Sequence, residues 1–191
     1  MGFLDALLGR SKPVKPDLDQ LFALPSAALT LESAMGLKPT GDGSVCFKAA
    51  EGAAFSDMQA EVQQLLAADG GPAEQERDAY GFTWLVCRHD PDDVSGLVTE
   101  LHAVNSSLEA AGFGPQLLCS VVGFAGLVGG TQRRLGLVYL YKRGSFYPFA
   151  PLGGERRDNA LELQVRGMLG ADLKIEPDLS RWFPVWGAPG L

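Results

Sequence analysis

Apolar residues recur along this chain with two different periods. Val94, Leu97, Val98, Leu101 and Leu108, with Asn105 on the same stripe, follow helical spacing as far as Gly112. Asp90-Pro91-Asp92-Asp93 stands directly before them, and acids there suit the positive end of a helix. From Arg133 to Lys142 the period falls to two. Leu135, Leu137, Tyr139 and Tyr141 take one face and Gly136, Val138 and Leu140 the other, which predicts a strand. A second strand is predicted from Gln116 to Phe124, joined to it through the glycine-rich AGLVGGTQ. FTWLVCR, Phe82 to Arg88, is apolar on both faces and reads as a central strand. A Gly144-Ser145 turn leads into FYPFAP, which Pro148 restricts to a sheet edge.

The flanking segments complete a layered plan. Phe3, Leu4, Leu7 and Leu8 make an apolar stripe on a short helix, and SKPVKP follows as an extended linker. Asp17 to Phe22 suits another short helix. Ala27 to Phe47 reads as two short strands, ALTLE and SVCFK, separated by the turn-rich GLKPTGDG. Ser56 is placed as the cap of a helix to about Ala68, with Met58, Val62, Leu65 and Leu66 inward. A last helix from about Asp158 to Leu169 turns Leu161, Val165 and Met168 inward. Trp182, Phe183, Val185 and Trp186 then suit a latch over the core or a hook for a partner. The expectation is α+β: an antiparallel sheet with helices packed on it, residues 1–16 forming an amphipathic segment and linker and residues 17–191 one domain.

Charge adds a polarity to this plan. Residues 133–157 hold Arg133, Arg134, Lys142, Arg143, Arg156 and Arg157 against Glu155 alone, whereas residues 51–112 carry twelve acids and two arginines. Such segregation can orient a partner. The overall charge of −7 argues against nucleic acid as that partner, since phosphate binding is driven by Lys and Arg. Cys46, Cys87 and Cys119 lie singly in apolar runs without the paired spacing of a disulfide framework or zinc site, so buried free thiols in a reducing cytoplasm are expected. No apolar run reaches the length of a transmembrane helix, and no signal peptide is apparent. A cytoplasmic protein is the expectation.

Candidate chemistry is sparse. His89 and His102 lack a catalytic neighbour in sequence, and Asp92 and Asp93 are explained by helix capping. Neither a metal nor a cofactor is called for. Gly126 to Gly130 reads as a hairpin loop. Gly153-Gly154-Glu155-Arg156-Arg157 is the stronger phosphate or carboxylate candidate, because a helix follows and its free N–H groups could join two guanidiniums; the alternative is that Glu155 and Asp158 simply pair with those arginines. The stripe of Phe3, Leu4, Leu7 and Leu8, with Arg10, Lys12 and Lys15 beyond it, suits docking on its own domain, a lipid interface or a partner groove.

Four segments carry a resemblance: MGFLDALLGRSKPVKPDLDQLFALPSAALTL, DPDDVSGLVTELHAVNSSLEAAGFGPQLLCSVVGF, LVYLYKRGSFYPFAPLGGERRDNALELQVR and PDLSRWFPVWGAPGL. Together they resemble the PspA-associated PspAB family of actinobacteria nearly end to end. The resemblance implies a cytoplasmic accessory protein whose gene accompanies that of PspA, the phage-shock coiled-coil protein that guards stressed membranes. PspA is then the expected partner, peripheral membrane contact is in keeping, and no catalytic residues carry over. The order of elements is also similar to secretion-chaperone-like domains, an analogy of fold alone. The favoured expectation is therefore a non-enzymatic adaptor, binding through its basic FYPFAP–GGERR surface and its termini. The alternative is a small-molecule or anion binder, or an enzyme, in which Arg156, Arg157 and Tyr147 surround an anionic ligand.

Overall fold

The computed structural model describes residues 16–48, 60, 64 and 74–191. Six antiparallel strands form one sheet in the order β2-β3-β1-β4-β5-β6: β1 is Leu37–Phe47, β2 Glu74–Arg77, β3 Thr83–Arg88, β4 Leu117–Val128, β5 Thr131–Leu140 and β6 Ser145–Phe149. A small hairpin, β7 (Pro151–Gly153) with β8 (Arg156–Arg157), follows. Among the described residues, three α-helices have defined bounds: α1, Leu24–Met35, α2, Val94–Ala110, and α3, Asn159–Leu169. A 3₁₀ turn, Leu18–Ala23, precedes α1, where the short helix from Asp17 was expected.

These three helices bury their stripes on one face of the sheet. Leu31 of α1, Leu101 of α2 and Val165 of α3 join Val45, Leu137 and Tyr139 in a single core. The two-residue period of β5 therefore sends Leu135, Leu137 and Tyr139 toward the helices and Val138 toward the opposite face. Asp93 caps α2 by accepting from the Gly96 N–H at 2.9 Å, as the acids before that helix predicted. The three cysteines are buried free thiols.

Residues 27–47 depart from the expectation of two strands. ALTLE lies within α1, because Leu24, Ala27, Ala28, Leu31 and Met35 keep helical spacing over twelve residues while a five-residue window does not resolve the period. Pro25 sits in the first turn of that helix, and Gly36, with φ 69°, ends it in the left-handed conformation. GLKPTGDG is not a turn but the start of the single strand β1, which carries a register irregularity between Pro39 and Gly43. Pro39 is tolerated because β3 pairs with β1 only from Asp42 onward. The Gly126–Gly130 loop contracts to Gly129-Gly130, both at positive φ, in a two-residue hairpin between β4 and β5. The N-terminal stripe lies outside the described residues. Of the helix expected from Ser56 to Ala68, only Ala60 and Gln64 are described, and both are helical. No helix of the described residues is long and apolar enough to cross a membrane.

Candidate functional site

None of α1, α2 and α3 covers the second face of the sheet. Cys46, Trp84, Cys119, Val138 and Tyr147 are buried there under the C-terminal residues, with Trp182 and Ala188 packed among them. Polar bonds hold that tail down. The Tyr147 hydroxyl donates to the Phe183 carbonyl at 2.7 Å, and the Trp182 indole N–H donates to the Glu176 carbonyl at 3.0 Å. Arg157 Nη1 donates to the Trp182 carbonyl at 2.7 Å, while its Nε meets the Glu162 carboxylate at 2.8 and 3.0 Å. Trp182 stacks on Tyr147 and Trp186 meets Phe149 edge-on. Gly123 and Gly136, partners across β4 and β5, leave room for the chain's last residues: a Cβ at Gly136 would lie 2.7 Å from the Leu191 side chain.

The tail does not close the face completely. A cavity of about 470 Å³ remains between Phe183–Trp186 and the end of the sheet where β3 begins and β5 ends. Its floor is the cross-strand pair Cys46 and Cys119, and its walls include Phe82, Trp84, Leu118 and Leu140. Tyr147, Lys142 and Arg143 also line it, whereas Arg156 and Arg157 do not. Phe183 and Tyr80 stand at the opening, 60% and 52% exposed.

Aromatic and aliphatic surface, rather than acid–base groups, is what this cavity offers. The hydrogen bond with Cys119, with burial, drives the Cys46 thiol far above its ordinary pKa, so it stays protonated and weakly nucleophilic. Burial likewise raises the Tyr147 phenol. Asp78 is spent on structure: it accepts from the Tyr80 and Phe82 N–H groups and from the Trp84 indole, each at 2.9 Å. Among the described residues no group of three or more His, Cys, Asp and Glu side chains is placed to hold a metal ion.

The basic residues of segment 133–157 do not form one surface. Arg133 and Arg134 lie at the opposite end of β5 from Lys142 and Arg143, about 20 Å or more away at the rise of a strand. FYPF is buried throughout as β6, so it presents no contact surface. Most of the cations are already engaged: Arg133 with Asp158 at 3.3 Å, Arg143 with Glu176 at 3.2 Å, and Lys142 with the Pro115 carbonyl at 2.9 Å. Arg134 and Arg156 are exposed and make no ion pair among the described residues. The proposed anion site at Gly153–Arg157 also lacks its helix end. That segment is the β7–β8 hairpin, with Gly153, Gly154 and Glu155 at positive φ, and α3 begins only at Asn159. The Asp158 carboxylate already occupies the helix start, accepting from the Leu161 N–H at 3.0 Å.

The histidines are structural in geometry. His102 packs beside Phe22, with Asp19 3.3 Å from its Nε2. His89 sits between two carboxylates, Asp93 at 3.1 Å and Glu100 at 2.7 Å. Burial lowers its pKa, but the hydrogen bonds to Glu100 and Asp93 outweigh that, and the net shift is upward. A raised His pKa contributes stability that is fully present below the ordinary His range near 6.5 and is lost as pH rises through the raised value. His89→Gln should therefore cost more stability at about pH 5.5 than at about pH 9, measured by urea unfolding at both. An equal loss at both pH values would mean that the pair contributes no pH-linked stability.

Little in the sequence marks Cys46, Leu118 or Leu140 as site residues. One signal does exist: β3 is apolar on both faces and so are parts of β4 and β5, so two covers are needed, and the helices supply one. The tail aromatics are what remains. In comparisons with known proteins, a family model described as PspA associated protein B matches residues 1–190. No curated protein and no solved structure matches the chain.

Proposed function

The chain belongs to the PspA associated protein B family, and from that premise we propose that it is a non-enzymatic accessory protein that binds PspA in the membrane-stress response. The match across residues 1–190 is the observation that carries the reading. The second face supports it, since its groups are suited to contact, its Asp78 carboxylate is engaged and its Cys46 thiol stays protonated. Within the basic segment the cations without an ion pair among the described residues are Arg134 and Arg156, not the Arg156–Arg157 pair, because Arg157 is committed to Glu162 and the tail. A polarised partner would meet those two charges.

Arg134→Glu/Arg156→Glu should weaken PspA binding about tenfold or more at low salt, with a smaller difference at high salt and little change in Tm, because exposed charges add little stability. Titration calorimetry against ionic strength measures this. Binding to PspA that is equal for both proteins and insensitive to salt would remove the electrostatic docking surface. Absence of any complex would remove the adaptor reading itself. The cavity favours a second reading, an apolar small-molecule site, and moves that alternative away from Gly153–Arg157.

A further inference from the structure

We propose that Cys46 and Cys119 are an oxidisable dithiol in the floor of the second-face cavity, and that a hydroperoxide closes them into a cross-strand disulfide. The proposal does not depend on PspA. It rests on where the two sulfurs stand. Cys46 of β1 and Cys119 of β4 are direct partners in the antiparallel register, and both side chains belong to the second-face cluster. Direct partners in such a pair have Cα atoms about 4.5–5.5 Å apart, inside the roughly 4.4–6.8 Å that a disulfide spans. Their Cβ atoms stand about 4.5–5.5 Å apart and must close to about 4 Å. The register irregularity between Cys46 and Phe47 begins at this pair and supplies the slack for that movement. The thiols are already hydrogen-bonded to each other, so neither side chain has to turn to find its partner.

The third cysteine is the contrast. Cys87 of β3 is as deeply buried, but it faces the helices, and its partner on β1 is Gly43. Register, rather than burial or composition, therefore singles out one pair. That pair also lines the cavity of about 470 Å³, whereas Cys87 does not. A molecule little larger than water, which takes up about 30 Å³, has ample room there.

Hydrogen peroxide is the simplest hydroperoxide for the step. One sulfur, as its thiolate, attacks a peroxide oxygen. The O–O bond breaks, the sulfur becomes a sulfenic acid, and the departing hydroxide takes up the proton that the thiol released. The second sulfur then attacks the sulfenic sulfur. An S–S bond forms, and the expelled hydroxide leaves as water with the second thiol's proton. Two thiols and one peroxide thus become one disulfide and two waters, with two electrons passing from sulfur to oxygen. The hydrogen bond with Cys119 and burial keep Cys46 protonated, so the first step is slow and the site records sustained exposure. Burial also shields the finished bridge, since exposed disulfides are the ones that reductants reach first.

The test treats the full chain with hydrogen peroxide, alkylates the remaining thiols and digests the protein for mass spectrometry without reductant. A Cys46–Cys119 cross-link with Cys87 alkylated is expected, on the order of an hour. Dithiothreitol should restore all three thiols. The oxidised protein should melt several degrees higher, because a bridge closing so long a loop constrains the unfolded chain. Tryptophan emission should fall, since a disulfide quenches a neighbouring indole and Trp84 is the partner of Cys46 on β3. Cys119→Ala, shown to be folded by circular dichroism, should lose both the cross-link and the change in emission. The wild-type result stands without that variant. Three free thiols after oxidation, a bridge that includes Cys87, or a link between two chains would overturn the proposal. So would sulfinic acids at Cys46 and Cys119 without a bridge, since the sulfurs would then be unable to meet.

Discussion

Replacing Arg157 with Met should destabilise the protein by about 3 kcal/mol or more, because it leaves the Glu162 carboxylate buried without its cation. Glu162 is buried, and among the described residues the Ala150 N–H, at 2.9 Å, is its second donor. Burial already pushes its pKa up, more strongly than Arg157 and that N–H pull it down. Without Arg157 the carboxyl should bind its proton more tightly still in the folded state. A raised carboxyl pKa favours the folded state at low pH and costs stability as pH rises through the raised value. The defect in Arg157→Met should therefore shrink at about pH 5 and grow at about pH 8, read by urea unfolding of wild type and variant. Arg157→Met/Glu162→Leu should recover much of the loss, because an apolar pair of similar volume avoids the buried charge. A single variant as stable as wild type at both pH values would show that Arg157 is ordinary surface and that Glu162 needs no partner.

That arginine also shows where a reading of the chain alone stops. Arg156 and Arg157 are adjacent identical residues in a basic run, and both were expected at one ligand site. Their separation depends on a hairpin that turns Arg157 inward, over the Phe149 ring and against Glu162, while Arg156 stays in solvent. Nothing local marks the difference, because Glu162 lies beyond a helix cap and Trp182 lies twenty-five residues on. Elements with a long period were legible. Six positions at helical spacing and an acidic cap located α2, and strict alternation located β5 and its two faces. ALTLE failed because a short apolar run fits both periods, and only Pro25, Gly36 and the whole twelve-residue stripe decide for a helix. The cavity was not legible at all. Its floor and walls join residues near positions 46, 84, 118, 140 and 186, which meet only once the tail has crossed the second face.

Trp182→Ala should be the most damaging change within that tail, at about 3–5 kcal/mol, by removing a large buried side chain. Trp182 is 6% exposed, stacks on Tyr147 with ring centres 6.0 Å apart, and lies under the Arg166 guanidinium at 5.9 Å. Its indole N–H also satisfies the Glu176 carbonyl. Glu176 itself is held by Arg143 and by the Ser145 hydroxyl at 2.8 Å, so the tail's first anchor is coupled to the turn that borders the cavity. Trp182→Phe keeps the stacking but loses the hydrogen bond, and should cost nearer 1–2 kcal/mol. Phe183→Ala is the matched control: that side chain is 60% exposed, and the Tyr147 bond goes to its backbone carbonyl, which the substitution retains. Trp182→Ala should also lengthen the open part of the second face, so the apolar dye 8-anilinonaphthalene-1-sulfonate should bind while the helix-covered core persists in circular dichroism. Should Trp182→Ala and Phe183→Ala unfold at the same urea concentration, the tail would be an ornament on a sheet that needs no second cover. A sheet with Trp84, Val138 and Tyr147 on its open face argues strongly for the opposite result, since uncovering that much apolar surface opposes folding at roughly 25 cal/mol per Å².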